Sequence, residues 1–228
     1  MKRLSWPNGK SGKKMQRLRV KFSRGDEIKY ISHLDIMRLW ERTLHRAQIK
    51  MAYSEGFNPR PRISLAVPLA VGVTSEAELM DIFLTGTTSP HWFTATAGGQ
   101  LPHGIEISGV YQVAMSMPSL QSQVRFAEYG VTVEKEAGPY NIESAISDLL
   151  SKRNLPWHHL RDTGKRSYDL RALIDDIMLV DSGDNCYAMN MRLRCDNSGS
   201  GRPEQVTLAL GITGHPKSIH RTRLVLKS

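Results

Sequence analysis

Three arginines in the stretch from Tyr30 to Gly72 have a spacing suited to binding a polyanion. Arg38, Arg42 and Arg46 recur every fourth residue, so they would lie along one side of a helix. Each guanidinium could donate charge-assisted hydrogen bonds to a phosphate, and three in line could bind successive phosphates. The alternative is a solvated helix face on which Glu41 screens Arg38. The spacing therefore predicts either a phosphate-binding surface or an ordinary charged face.

The loop after this helix combines aromatic, proline and arginine side chains. Residues 56–62 read GFNPRPR, which places Arg60 and Arg62 beside prolines. Tyr53 and Phe57 could form a stacking platform for an unpaired base, as in proteins that recognise single-stranded RNA. The structural alternative is that Phe57 closes a sheet edge while the prolines direct the chain into the next strand. The loop is thus a second candidate for RNA contact.

A predicted strand before the helix carries further arginines. The residues that alternate over Gln16–Ser23 are Leu18, Val20 and Phe22 on one side and Arg17, Arg19 and Lys21 on the other. This is the period of a half-buried strand. We expect Arg17 and Arg19 on its exposed face, where they would extend the phosphate-binding surface.

His33 and Asp35 are the candidates for catalysis. His33 could act as a general acid or base in RNA cleavage, and Asp35 as the nucleophile of a pseudouridine-type reaction. Both lie at the start of the predicted helix, where Ser32 would be the N-cap and Asp35 would favour the positive helix end. We expect both residues to be mainly structural, and no catalytic residue is assigned.

The charge of the chain favours a polyanionic partner. Its 31 basic and 22 acidic residues give a net charge of +9, and the isoelectric point is near 9.7. The segment from Lys2 to Arg62 holds sixteen basic against five acidic residues, a surplus of +11, so the remainder is slightly acidic. Nucleic acid is the first candidate partner and an anionic membrane surface the second.

The cysteines and the hydropathy pattern exclude several classes of protein. Two cysteines, Cys186 and Cys195, do not make a disulfide scaffold and show no metal-ligand spacing with the histidines. No apolar run is long enough for a membrane span, and the basic N-terminus lacks the apolar region of a signal peptide. We therefore predict a cytoplasmic protein without metal, cofactor or membrane association.

The hydrophobic periodicity predicts the same order of elements twice. The first half is predicted as strand Gln16–Ser23, helix Ser32–Ala47, strands Arg62–Val67 and Ala77–Leu84, helix Pro90–Ala97 and strand Gly104–Tyr111. The second half is predicted as strand Gln121–Glu134, helix Asn141–Lys152, strands Ser167–Ile174 and Tyr187–Cys195, a helix from Gly201 to Leu210 and strand Ile219–Leu226.

This order predicts an α+β fold of two tandem ferredoxin-like (βαββαβ) modules with antiparallel sheets. The boundaries are a flexible basic tail at 1–15, a basic first module at 16–118 and a second module at 119–228. One mixed α+β domain would show the same string of elements and stays open as the alternative. In the second module Asp169 and Arg171, like Arg221 and Arg223, could form a cross-strand ion-pair ladder or a second anion site.

The chain resembles the radical-SAM-linked family of bacterial proteins of unknown function. The segments that carry the resemblance are KYISHLD at 29–35, Glu41-Arg42, AYSEGFNPRP at 52–61, PLAVGVTS at 68–75, YDLR at 168–171, GRP at 201–203 and RTR at 221–223. The resemblance implies association with a radical SAM enzyme, either as its C-terminal extension or as a separate chain like this one. Two cysteines cannot hold the iron–sulfur cluster of such an enzyme, so this chain is not one itself.

Three hypotheses for function follow. The first is an RNA-binding accessory protein that presents RNA to a radical SAM enzyme. The second is an RNA-processing or RNA-modifying enzyme that uses His33 or Asp35. The third is a protein-interaction module in which Trp40, Met51 and Phe57 contact the radical SAM enzyme.

Overall fold

A computed structural model describes residues 14–135, 140–161 and 164–227 of the chain. Residues 1–13 of the predicted basic tail lie outside the described residues, and Met15 already belongs to the first strand. The fold is a mixed α+β arrangement with a mostly antiparallel sheet.

The described residues form eleven strands and five α-helices. The strands are β1 (Met15–Arg24), β2 (Ile63–Leu65), β3 (Thr74–Thr85), β4 (Ile107–Val113), β5 (Val124–Glu134), β6 (Pro156–Arg161), β7 (Gly164–Asp169), β8 (Ile174–Ser182), β9 (Cys186–Asp196), β10 (Gly199–Ser200) and β11 (Ser218–Leu226). The helices are α1 (His33–Arg46), α2 (Pro90–Gly98), α3 (Leu120–Gln123), α4 (Ile142–Ser151) and α5 (Pro203–Ala209).

One continuous sheet runs through both halves of the chain. In the first half the strand order is β2-β3-β1-β4, and in the second half it is β8-β9-β5-β11, with antiparallel neighbours in both. A short parallel pairing of β11 with β3, through His220 opposite Thr74 and Arg221 opposite Ser75, joins the two halves. Strands β2 and β11 therefore share one edge of β3, and residues 66–73 leave the sheet between them.

The helices of each half pack on one side of the sheet. In the first half, Trp40 of α1 meets Phe22 of β1 edge to face, with ring centroids 5.0 Å apart, and α2 contributes Phe93 to the same buried cluster. In the second half, α4 packs against β8 and contributes Ile146 to a buried cluster with residues of β5, β8 and β9. We call this side of the sheet the helix side and the opposite side the outer side.

The predicted starts of the first two helices are confirmed. The Ser32 hydroxyl accepts from the Asp35 amide at 3.2 Å and caps α1, and Pro90 occupies the first turn of α2 after the Ser89 cap. The start of the predicted strand Gln121–Glu134 is wrong, because its first residues form α3 behind a Ser119 cap.

The predicted strand Ser167–Ile174 is correct for Ser167–Asp169 but wrong in its continuation to Ile174. Strand β7 ends at Asp169, a 3-10 turn follows at Arg171–Leu173, and a new strand, β8, begins at Ile174. The turn forms because one carboxylate oxygen of Asp169 accepts from the amides of Leu155, at 2.7 Å, and Arg171, at 3.0 Å. The hairpin of β6 and β7 was not predicted from the sequence.

Candidate nucleic-acid interface

The exposed side of α1 lines a groove of about 580 Å³ on the helix side. The Ser32 cap fixes where the helix begins, and the helical period then places Arg42 and Arg46 on the same side. Tyr30, just before the cap, is 73% exposed. The lining residues are Tyr30, Ile31, Asp35, Leu39, Arg42, Arg46 and Pro102. We call this surface the α1 groove; it combines an exposed aromatic ring with two guanidinium groups.

The three arginines of α1 differ in what holds them. Arg38 lies outside the groove lining and pairs with Asp35, with 3.2 Å between Nη1 and Oδ1. Arg46 donates to the Gln100 carbonyl at 2.8 Å, which fixes its guanidinium at the groove. Arg42 makes no hydrogen bond or ion pair with any residue that the structure describes. Arg42 is therefore the arginine whose donors are most available to a phosphate.

Asp35 and His33 occupy the first turn of α1. The Ser32 hydroxyl donates to the Asp35 carboxylate at 2.7 Å. This hydrogen bond and the nearby Arg38 lower the pKa of the Asp35 carboxyl below its ordinary value. A carboxylate held in its ionised form serves the helix N-terminus well and is a poor proton donor. His33 is the first residue of α1 and is partly exposed.

The loop after α1 is a hydrogen-bonded hairpin, which we call the 53–62 hairpin. The Ser54 amide donates to the Arg60 carbonyl at 2.8 Å, and the Arg60 amide donates to the Ser54 hydroxyl at 3.0 Å. Gly56 turns the tip with φ +123°. Phe57 is fully exposed at 101%, and Tyr53 is 47% exposed. The alternative in which Phe57 closes a sheet edge is therefore wrong.

Arg17 and Arg19 do not lie on an exposed face, which corrects the sequence prediction. They are 3% and 8% exposed and share Asp81, with Arg17 Nε 2.9 Å and Arg19 Nε 2.8 Å from its carboxylate oxygens. Arg17 also donates to the carbonyls of Met117 and Pro118, at 2.6 Å and 2.8 Å. The connection between the halves covers the outer side here, so both arginines serve the fold.

Arg62 lies on the outer side of the sheet and not at the α1 groove. Its guanidinium carbon is 4.3 Å from the centroid of Phe83, which pairs with Arg17 across β1 and β3. The helix α1 packs on the other side, where Trp40 contacts Phe22. The α1 arginines and the β1 arginines were predicted to share one surface, but they lie on opposite sides of the sheet.

Two of the residues expected to contact a protein partner are buried. Trp40 is 0% exposed and Met51 is 7% exposed, and both belong to the core of the first half. Only Phe57 of that group is available at the surface. The protein-docking surface predicted from these three residues is therefore not formed.

A larger cavity of about 780 Å³ lies between the two halves, and we call it the inter-half cavity. Its walls come from three segments that are distant in sequence: residues 66–73, residues 168–173 and residues 194–205. Tyr129 and Cys195 also line it, and burial raises the pKa of the Cys195 thiol. Much of the wall coincides with the segments at 68–75, 168–171 and 201–203 that carry the family resemblance.

A buried ion pair braces this cavity from behind. Arg221 is 0% exposed and donates to the Glu78 carboxylate, which is 2% exposed. Arg221 also donates to the carbonyls of Val67 and Pro68, at 3.4 Å and 3.5 Å, and bonds to the Tyr129 side chain. The predicted cross-strand ladder of Asp169 and Arg171 with Arg221 and Arg223 is therefore wrong: Arg221 pairs with Glu78, and Arg171 donates to the carbonyls of Leu150 and Ile174.

The described residues offer no group of three or more His, Cys, Asp or Glu side chains that could hold a metal ion. Within the same residues, none of the helices has the length and apolar character needed to cross a membrane.

The fold and these surfaces define an α+β protein with a continuous sheet, a cationic groove on one helix and a cavity between its halves. The chain belongs to DUF2344, an uncharacterized protein family conserved in bacteria, whose model matches residues 17–203. Comparison with curated proteins gives no match.

Solved structures with a similar arrangement are distant. The "Crystal Structure of a Cbf5-Nop10-Gar1 Complex" is 11% identical with a TM-score of 0.49, covering 91% of this chain and 48% of that chain. The "Structure of H/ACA RNP bound to a substrate RNA containing 2'-deoxyuridine" is 10% identical with a TM-score of 0.45, covering 91% and 47%. An unknown protein from Galdieria sulphuraria is 14% identical with a TM-score of 0.27, covering 87% and 91%. This chain spans about half the length of the first two chains. Similarity at this level is too low to support a conclusion about the function of this chain.

Sequence reasoning missed Tyr30 and the residues of the inter-half cavity as site residues. The position of Tyr30 just before the Ser32 cap was a usable signal, because a residue there lies beside the first turn of the helix. The cavity as a whole could not be recognised from the sequence, although Asp169 belongs to the predicted second anion site, because residues 66–73, 168–173 and 194–205 come together only in the folded sheet.

Proposed function

We propose that this protein binds single-stranded RNA through the α1 groove and acts as an accessory protein to a radical SAM enzyme. The observation that carries the RNA-binding part is the α1 groove, where exposed Tyr30 lies with Arg42 and Arg46. An aromatic ring offers a stacking surface to any base, and the arginines bind the adjacent phosphates. The charge surplus of the N-terminal segment supports the same partner.

The 53–62 hairpin supports a second contact with the same RNA. Phe57 at its tip is fully exposed, and Arg60 beside it is also exposed. The exposed ring of Phe57 is open to stacking on an unpaired base, and Arg60 can contact an adjacent phosphate. Tyr53 at the base of the hairpin adds a further ring that is 47% exposed.

Filter binding of a single-stranded oligonucleotide tests the proposal. We expect the double variant Tyr30→Ala/Arg42→Ala to lose at least about tenfold in RNA affinity, because it removes one stacking contact and one phosphate contact. The matched control is Arg153→Ala, which removes one exposed arginine from the second half. Wild-type protein that does not bind RNA, or a double variant that binds like the control, would contradict the proposal.

The radical SAM enzyme is proposed as partner on the resemblance of the sequence segments alone. Affinity purification of the tagged chain from a bacterium that encodes both proteins tests this part. Recovery of the radical SAM enzyme with the wild type, in a nuclease-resistant manner, would support it. Recovery that disappears with nuclease would show that RNA, and not a protein contact, joins the two.

We also infer that each half of the chain is a ferredoxin-like module, with boundaries at 16–118 and 119–228. The identical strand orders of the two halves support this inference, with the β6–β7 hairpin inserted in the second half. Separate expression of residues 119–228 tests it: the fragment should fold cooperatively, and a fragment that stays unfolded would favour a single domain.

A further inference from the structure

We propose that the inter-half cavity receives one nucleotide of the RNA that the α1 groove binds, with the base inside the cavity and the phosphate at its rim. The inference rests on the RNA-binding proposal and adds a second site to it. Its basis is the position of the cavity relative to the groove, the chemistry of the cavity walls and the network that holds those walls in place.

The groove and the cavity lie on two sides of the same short segment. Tyr30 lines the α1 groove, while Leu69, Ala70 and Val73 line the cavity. The Gly72 amide donates to the Lys29 carbonyl at 2.8 Å, and a Cβ on Gly72 would lie 3.9 Å from the Tyr30 ring. An RNA strand stacked on Tyr30 therefore reaches the mouth of the cavity by crossing residues 70–72.

Gly72 makes this close approach possible. Its φ of +85° lies in the left-handed region, which side chains with a Cβ adopt only with strain. The resulting turn brings residues 70–72 against the turn that contains Tyr30. The two surfaces are thus fixed relative to each other by backbone contact.

The walls of the cavity suit a flat base with polar edges. Apolar contacts come from Pro68, Leu69 and Leu173. Hydrogen-bonding groups come from the other wall, where Gln205 is 7% exposed and its amide oxygen accepts from Tyr168 at 2.6 Å. Because that oxygen is engaged, the amide nitrogen of Gln205 is the group that can donate to a ligand. The cavity thus offers apolar surface to a base and polar groups that can fix the orientation of the base.

Charged residues of both signs line the cavity: Arg194 and Arg202 lie there together with Asp169, Asp196 and Glu204. Behind the cavity the buried Arg221 donates to the Glu78 carboxylate, while the buried Arg24 donates to the carbonyls of Ile28 and Ile31. Arg24 Nε has no hydrogen-bond partner among the described residues. At the rim, Arg202 is exposed. We therefore place the phosphate of the nucleotide at the rim, where it can accept hydrogen bonds from Arg202.

Photocrosslinking tests the inference with an oligouridine that carries 4-thiouridine at one position. In the wild type we expect crosslinked peptides from residues 168–173 or 194–205, as well as from the α1 groove. Ala172→Trp puts a large side chain at the mouth of the cavity from an exposed position. We expect it to reduce the cavity crosslinks by about tenfold, because it excludes a stacked base. Ala70→Trp, also exposed at the cavity, provides a second variant in case the first folds poorly.

A third tryptophan variant serves as the control. Ala95→Trp adds the same side chain at an exposed position of α2 that does not line the cavity, and it should leave the crosslinks unchanged. Crosslinks confined to residues 30–62 in the wild type, with RNA still retained, would overturn the cavity site and leave the RNA-binding proposal intact. Cavity crosslinks that persist in both tryptophan variants would also overturn it. RNA that is not retained by the wild type would overturn both proposals.

Discussion

Two pairs of arginines in the first half of the chain have opposite environments. Arg17 and Arg19 on β1 are buried against Asp81, whereas Arg42 and Arg46 on α1 line an open groove. Both pairs lie in basic stretches with regular spacing. The difference shows that the periodicity of arginines predicts which side of an element they occupy, but not whether that side is solvated.

The cause of the difference is a partner from another part of the sequence. Asp81, on the neighbouring strand, supplies one carboxylate to both β1 arginines, and the carbonyls of Met117 and Pro118 satisfy remaining donors of Arg17. Buried charges are tolerated only with such compensation. On α1, Asp35 is engaged with the Ser32 hydroxyl and pairs with Arg38, whereas Arg42 makes no hydrogen bond or ion pair with any described residue.

The largest expected effect comes from removing the shared carboxylate. Asp81→Ala should lower the free energy of unfolding by about 3–5 kcal/mol, because it leaves two buried guanidinium groups without compensation. Urea unfolding followed by circular dichroism measures it. Asp35→Ala, which removes an exposed partner of Arg38, is the matched control and should cost far less. Equal losses in the two variants would show that the buried carboxylate of Asp81 stabilises the fold no more than the exposed carboxylate of Asp35 does.

A smaller effect is expected at the groove, on binding and not on stability. Tyr30→Ala should weaken RNA binding by about 1–3 kcal/mol, because it removes a stacking surface for one base. The free energy of unfolding should change by less than about 0.5 kcal/mol, since the side chain is largely exposed. Fluorescence anisotropy of a labelled oligonucleotide and urea unfolding give the two values. A loss of stability without a loss of RNA affinity would show that Tyr30 stabilises the fold and does not bind RNA.

Removal of the helix cap should have a modest effect on stability. Ser32→Ala should lower the free energy of unfolding by about 1 kcal/mol, because the Asp35 amide loses its acceptor at the start of α1. Thermal unfolding measures the change. Ser119→Ala, at the cap of the much shorter α3, is a comparison that should cost less. No change in Ser32→Ala would mean that tertiary packing alone fixes the helix start.

The smallest effect concerns the titration of Asp35. Because the folded state lowers its pKa, the ionised carboxylate stabilises the fold above the ordinary carboxyl pKa, and this contribution is lost as the pH falls through the lowered value. Ser32→Ala should raise the pKa of Asp35 more than Arg38→Ala does, because the hydroxyl hydrogen bond is the larger cause. Carboxyl chemical shifts recorded against pH measure both. A larger shift in Arg38→Ala would contradict this order.

Much of the fold follows from local patterns in the sequence. The alternation of Leu18, Val20 and Phe22 gave the first strand, and the signals at Ser32 and Pro90 gave two helix starts. The break between β7 and β8 could not be predicted in this way. It depends on Asp169 accepting from Leu155, a contact across fourteen residues that no periodicity encodes.

Only those parts of the candidate site that are formed by residues close together in the sequence could be predicted. The α1 arginines and the hairpin aromatics are each read from a few adjacent residues, and the structure leaves Arg42 and Phe57 exposed. The burial of Arg17 and the inter-half cavity both require contacts between distant segments, such as Arg17 with Met117. These contacts depend on the order of the strands in the sheet, which the spacing of residues along the chain does not reveal.

The salt dependence of RNA binding tests most directly the claim that the α1 arginines bind RNA while the β1 arginines hold the fold. Arg42→Met and Arg17→Met remove the same charge from the two places. A plot of log affinity for single-stranded RNA against log salt concentration should be less steep by about 0.7 in Arg42→Met, which loses one phosphate contact, and unchanged in folded Arg17→Met. An unchanged slope in Arg42→Met, or a reduced one in Arg17→Met, would contradict the account.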